Sequence, residues 1–378
     1  MRKLLLLLGA ALAMLLAYLF AWPVPVEPVA WQAPAPPGYA GVHAQNDRLA
    51  GLRLVSIAPE IGPEHIEFGP DGRLYTATLS GTVLRMNADG SAPAVVARTA
   101  GRPLGLDFDA GGQLVIADAL RGLLAVDAAG QVRVLTDRVD GTPILYADAV
   151  QVAADGRILF TDASQRSSPR THGTFDAALF DILEHSCTGR VLEFDPVTAA
   201  TRVVARGLCF PNGIALSADE QSLLLAETGT YRVLKITRAS HDLDVGAALS
   251  ADADGVTVLL DNLPGFPDNL TRGQDGRYWT GFTKPRSAAI DAMSGKPWLR
   301  ALTLRLPRAL WPVPPTYGHV IAFDEQGRVL LDLQDPAGKL PETSGATEHD
   351  GMLYVQSLHA SSLGVLPLNQ AAVTPRSR

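Results

Sequence analysis

The chain has no dense basic run: its 32 Lys and Arg are scattered among 39 Asp and Glu, for a net charge of -7. Nucleic-acid phosphates demand a basic face, which argues against that class of partner, and a small ligand or a cation fits better. No G-x-S-x-G phrase occurs, which leaves a covalent serine mechanism without its nucleophile elbow. Cysteine is confined to Cys187 and Cys209, each eleven residues from Thr198 in the turn of a hairpin expected over 190–194 and 201–205. A regular antiparallel register sets the two opposite each other, which in an exported domain reads as a disulfide. A bulge would shift the register and leave two buried thiols.

Glycine and proline are plentiful, 35 and 27 residues, with 47% of the chain hydrophobic and 19% charged. That composition belongs to a globular, β-rich chain with a sizeable core. A turn-strand phrase recurs six times, as PDGRLYTA from Pro70, AGGQLVIAD from Ala110, ADGRILFTD from Ala154, ADEQSLLLAET from Ala218, QDGRYWTG from Gln274 and HDGMLYVQS from His349. In each copy an Asp-Gly type pair supplies a left-handed turn, and the residues after it alternate at period two. A second series, such as GTVLRMNADG from Gly81 and TGRVLEFDP from Thr188, lies downstream of the first and marks a second hairpin. Copies begin about 40 to 75 residues apart, close to one four-stranded blade plus inserted loops. The fold expected is all-β, a six-bladed β-propeller; an antiparallel sandwich is the competing architecture.

At the N-terminus Arg2 and Lys3 precede an apolar run from Leu4 to Ala21 closed by Trp22, long enough to approach a membrane span. No small-x-small cleavage site is clear before Pro23, which favours an uncleaved signal-anchor helix over a cleaved signal peptide. Either places the domain on the periplasmic or extracellular side. The boundaries expected are an anchor over 1–22, a stiff Pro-rich spacer over 23–45 holding the domain off the bilayer, the propeller over 46–370 and a tail over 371–378. Two insertions break the rhythm. The stretch 163–186 reads as a loop and a short helix over about 175–185. The stretch 284–317 carries exposed-looking Trp298, Leu299, Leu302, Leu304, Leu306, Leu310 and Trp311 among Lys296, Arg300, Arg305 and Arg308. It fits a lid or a helix lying on a membrane surface.

Several phrases, GRPLGLDFD from Gly101, YADAVQVAADGRILFTDAS from Tyr146, GLCFPNGIALSAD from Gly207, LPGFPDNL from Leu263 and EHDGMLYVQSL from Glu348 among them, resemble the strictosidine synthase-like family. Its adipocyte plasma membrane-associated group is nearest, within the wider superfamily of gluconolactonases and paraoxonases. The resemblance runs over about 53–368. It implies a six-bladed propeller whose hydrolytic members hold a divalent cation, generally calcium, at the mouth of the central channel. Carried onto this chain, the ligands are Glu64 in GPEHI, Asp148, Asn212 in FPNG and Asp268 in GFPD. Each belongs to a different blade, and such an oxygen set suits a hard cation.

Two departures matter. The family's Asn-Asp pair is Asp148-Ala149 here, and Ser344 stands at or near the position of the glutamate used by strictosidine synthase itself; alkaloid condensation is therefore not expected. Taken singly, Glu64, Asn212 and Asp268 each have a structural reading as a strand-start, turn or capping residue. His65, His185, His319, His349 and His359 are weaker candidates, His65 because it would face away from Glu64 on a strand. The resemblance implies a calcium-dependent hydrolase of small-molecule esters or lactones, with Asp268 or Asp148 taking a proton from water. A non-enzymatic propeller binding a ligand or partner is the alternative.

Overall fold

The computed structural model describes residues 1–371; all but the first residue of the expected 371–378 tail lies outside the described residues. Six four-stranded antiparallel sheets follow one another at 66–98, 103–136, 147–208, 211–260, 265–335 and 346–367. The last sheet takes its outer strand from Arg53–Ser56, which pairs with Ser362–Pro367. The ring is thus a six-bladed propeller, closed by a strand from the opposite end of the domain. The third blade gains a fifth, parallel strand, Leu243–Asp244.

The turns follow from local chemistry. Asp109 and Asp127 each accept from the amides two and four residues on, folding the chain back within five residues. In the third copy Gly156 takes φ 84°, whereas in the copy without glycine Glu220 adopts φ 57°. The second strand of a blade does not alternate: Leu114–Asp118 and Ile158–Asp162 are buried at every position. Each blade is covered by its neighbours on both faces, so a period-two reading understates how apolar these strands must be. Leu159, Val191 and Val204 of the third blade, for example, pack against Ile214, Leu225 and Leu234 of the fourth.

The acids that end the second strands are structural. Asp118 accepts from Arg102 N, Asp162 from Tyr146 N and Glu227 from Cys209 N, pinning the loop that leads into each inner strand. Cys187 and Cys209 are joined in a disulfide, although two bulges interrupt the intervening hairpin.

One helix, α1 (Arg2–Ala21), is long and apolar enough to cross a membrane. Both insertions fold over one end of the ring. The first forms α2 (Pro169–His172) and α3 (Thr174–Glu184); α4 (Val245–Ser250) lies at the outer side of the fourth blade; the second insertion forms α5 (Ala288–Ala292) and α6 (Pro297–Arg305); α7 (Leu368–Ala371) follows the last strand. The sequence reading of the second insertion needs correction at Arg300. It is buried rather than on a solvated face, and its guanidinium donates to Leu183 O (2.7 Å), to Ser294 O (3.1 Å) and to Val29 O.

The spacer does not stand the domain off from α1. Val29 N and Trp31 N donate to Glu184 O and Ser294 O, and Trp31 stacks on His185 at 4.0 Å. Farther along, His43 Nδ1 and His319 Nε2 meet one oxygen of Asp332 at 2.7 and 2.9 Å, while Asn46 and Gln334 donate to the other. The segment is a strap buckled to the fifth blade.

Burial alone would raise the Asp332 carboxyl, but the hydrogen bonds from His319 and His43 outweigh it and hold the group well below its ordinary value. A depressed folded value means the contribution is fully present above about pH 4, the unfolded value, and is lost as pH falls below that. Asp332→Asn is expected to cost stability near neutrality, with the gap to the parent narrowing below about pH 4; a gap in urea midpoints that ignores pH would refute the buckle. A second prediction concerns the inner ring. A Cβ on Gly213 would lie 2.0 Å from Leu270 N on the next blade, and Gly213→Ala is expected to lower unfolding free energy by about 1–3 kcal/mol or more. An unchanged denaturation midpoint would show that the blades do not approach so closely.

Candidate functional site

The six inner strands all begin at the end covered by the lid. Four of them leave the regular ladder at the same place: register breaks fall at Pro103/Leu106, Ala147/Val150, Pro211/Ile214 and Pro267/Leu270. A bulge re-aims side chains that the pleat would otherwise send to the blade faces. Within three of these breaks lie Asp148, Asn212 and Asp268, while Arg102 immediately precedes the inner strand Pro103–Phe108 of the second blade and Glu64 stands two residues before the inner strand Ile66–Phe68 of the first. All five line one cavity on the axis and all are buried. The four expected oxygen donors are therefore brought together. Arg102 was not singled out from the sequence, and its only signal was its place at the head of an inner strand in the phrase beginning at Gly101.

Their neighbours fix them. Asn269 Nδ2 donates to Glu64 Oε1 at 2.7 Å and to Glu64 O at 2.8 Å, and the Ser344 hydroxyl donates to Glu64 O at 2.7 Å. Ser344 is thus a brace for Glu64. Asp268 accepts from Asn269 N at 3.0 Å. Ala149 packs in the apolar cluster between the third and fourth blades, so position 149 does not face the axis.

The electrostatics are unbalanced. Burial raises Glu64, with Arg102, His65 and Asn269 opposing. Burial and the charge of Glu64 push Asp148 well above the usual carboxylate range, and burial, Glu64 and Asp148 do the same to Asp268. Three carboxyls face one guanidinium, itself lowered by burial. Glu64 Oε2 and Asn212 Oδ1 are buried without a hydrogen-bond partner. Orphaned oxygens beside crowded carboxyls are a fit for a divalent cation, which replaces repulsion by shared attraction. The carboxylate oxygens of Glu64, Asp148 and Asp268 do not all lie within 4.8 Å of one another; oxygens on opposite sides of calcium stand up to about 5 Å apart.

Above this polar floor the cavity, of about 170 Å³, is apolar. Phe175, Leu179 and Ile182 of α3, Phe210, Phe266 and the lid residues Trp311 and Val313 form its walls. Tyr146 OH donates to Thr174 O and ties the wall to the floor. At the rim Glu342 pairs with His359 Nδ1 and, at 3.0 Å, with Lys284 Nζ. Of the five candidate histidines, His359 alone lines this cavity. His65 precedes rather than occupies the first inner strand, and its nitrogens have no hydrogen-bond partner. His185 is pushed down to about 3 by burial, His319 serves the strap, and His349 stacks on Phe68 at 3.6 Å. The pairing at the Glu342 rim has no signal in the sequence because Glu342, Lys284 and His359 come from three separate segments.

The chain matches the family model for the N-terminal part of strictosidine synthase-like proteins over 41–86 and that for strictosidine synthase over 148–239. It is 32% identical to adipocyte plasma membrane-associated protein of Salmo salar, over 98% of this chain and 91% of the relative. It is 34% identical to strictosidine synthase-like protein 13 of Arabidopsis thaliana, over 78% of each. Among solved structures, a gluconolactonase from Xanthomonas campestris aligns with a TM-score of 0.57 at 20% identity, covering 91% of this chain and 98% of that one. The calcium-binding protein regucalcin from Agrobacterium tumefaciens aligns at 0.56 and 13%, covering 84% and 93%. At such identities the structural likeness is one of fold. The near full-length sequence matches go further: this chain belongs to the strictosidine synthase-like family.

Proposed function

We propose that the protein is a membrane-anchored hydrolase of esters or lactones that depends on a divalent cation, calcium being the best fit, held by Glu64, Asp148, Asn212 and Asp268. The observation that carries this reading is the set of crowded, buried carboxyls and orphaned oxygens beneath an apolar cavity. A bound calcium ion would supply Lewis-acid polarisation of an ester carbonyl and of the oxyanion that develops from it. The apolar walls bind the acyl or aryl part and exclude bulk water. Asp148, raised by burial and by Glu64, and Asp268, raised by burial, Glu64 and Asp148, are the carboxyls placed to take a proton from an attacking water once a cation restores their charge. Arg102 offsets part of the negative charge, and Asn269 with Ser344 keeps Glu64 in place. The fold shared with a gluconolactonase and with calcium-binding regucalcin supports the same chemistry. Ser344, occupied as a brace, gives no support to alkaloid condensation.

Arg2 and Lys3 before the span favour a cytoplasmic N-terminus and an exported propeller; relatives named for the plasma membrane support membrane association alone. A reporter fused after Arg378 is expected to be active only if it works outside the cytoplasm; activity in the cytoplasm would reverse this topology.

If four blades share one cation, chelation should lower both thermal stability and turnover, because metal binding adds to the folded state alone. Glu64→Gln is expected to weaken cation binding, measured by the calcium-induced shift in melting temperature. Asp268→Asn is expected to reduce turnover more than that shift. Hydrolysis of neither phenyl acetate nor simple lactones by the calcium-loaded protein, with no response to chelator, would leave a non-catalytic binding propeller as the better reading.

A further inference from the structure

We propose that the lid face beside α1 docks into the surface of the lipid bilayer, and that the cavity consequently takes lipophilic esters or lactones directly from the membrane. The substrate class rests on the hydrolase reading above, whereas the docking rests on the lid and α1 alone.

The argument starts at the end of α1. A 20-residue helix is about 30 Å long, the thickness of the hydrocarbon core, so its last turn lies at the interface. That turn is held by the lid. Tyr18 OH donates to Arg305 O at 3.0 Å, and Arg305 donates to Trp22 O at 2.6 Å and to Leu19 O at 3.2 Å. Arg305 ends α6, and Thr303, two residues earlier, lines the cavity. The site's lid and the end of the apolar span are therefore one contact apart.

The same lid exposes large apolar side chains. Trp298 is 59% exposed, Leu310 65%, Val313 56% and Phe175 46%. Scattered apolar residues are ordinary on any surface. Here two of them, Phe175 and Val313, also line the cavity, so exposed apolar side chains of the lid are at the same time walls above the carboxyls. Lys296 and Arg308, both exposed, lie on the same segments where phosphate headgroups would meet them. A bilayer covers this face because α1 brings it there, and a molecule with a long acyl or alkyl chain enters carbonyl-first or chain-last without crossing water. Apolar face, cationic flank and interfacial tryptophan are the features of segments that sit at the headgroup boundary.

The test uses the full-length protein in phosphatidylcholine nanodiscs. Leu310→Cys carries an environment-sensitive fluorophore, and Val197→Cys, 92% exposed in a hairpin turn of the third blade, serves as the reference. Spin-labelled lipid should quench the probe at position 310 and leave position 197 unaffected. Equal, weak quenching at both sites would overturn docking even though the protein remains in the disc. In the hydrolysis arm, Trp298→Asp combined with Leu310→Asp should lower kcat/KM for a dodecanoyl ester roughly tenfold or more while phenyl acetate turnover stays unchanged. Equal loss on both esters would overturn the membrane-delivery step. Absence of turnover on either ester in the parent protein would reject the hydrolase reading and with it the substrate class, leaving the quenching result to decide docking.

Discussion

The close approach of the inner strands around the axis is the constraint on which the site depends. Gly213 lets the fourth blade come to within backbone contact of Leu270, and Gly105 does the same between the second and third, where a Cβ would lie 2.7 Å from Val150 N. Such proximity breaks the regular ladder at four inner strands and turns Asp148, Asn212 and Asp268 inward. It also forces like charges together out of water. Burial is the first cause of their raised carboxyls and the neighbouring carboxyls the second, and Arg102 is too few charges to balance them.

The blades themselves are held by a different set of acids. Asp118, Asp162 and Glu227 look equally eligible in the sequence, yet each is spent on backbone amides next to an inner strand, with Arg190 and Arg232 pairing Asp162 and Glu227. The division of labour is geometric: second-strand acids lie one strand away from the axis and stabilise the loops, while inner-strand acids face the cavity. The lid adds a third layer. Arg300 unites α3, the strap and the α5–α6 loop through main-chain oxygens, so the roof of the cavity and the segment leading from α1 form one packed unit. A stiff Pro-rich spacer is a natural reading of six prolines, but prolines also leave carbonyls and apolar rings free to pack. Trp31 packs on His185 at the end of α3 and on Tyr231 of the fourth blade, and Val26 is buried.

Much of this was legible in the residues. The recurring Asp-Gly turns encode hairpins because few residue types tolerate the left-handed position at low cost, and their spacing encodes the blade. Glu64, Asp148, Asn212 and Asp268 were placed through family phrases, and the fold does bring them into one cavity. Arg102, Tyr146 and the pairing of Glu342 with His359 and Lys284 were not read. Each is an isolated polar residue in its own segment, and only the ring brings residues from separate blades side by side. Arg300 was read as one of the basic residues interleaved with the apolar ones of a lid or membrane-surface helix. Its burial depends on carbonyls supplied by Val29, Leu183 and Ser294, which local pattern cannot reveal.

By itself the sequence determined the number of blades, the apolar N-terminal helix and the chemical character of the donors, because turn chemistry, hydropathy and residue type are local properties. The closure of the ring by Arg53–Ser56, the single cation-like charge at the axis and the contact between Arg305 and the end of α1 were decided by tertiary structure. These are encounters between segments far apart in the chain, and their energetics depend on distance and burial, quantities that exist only once the blades have packed.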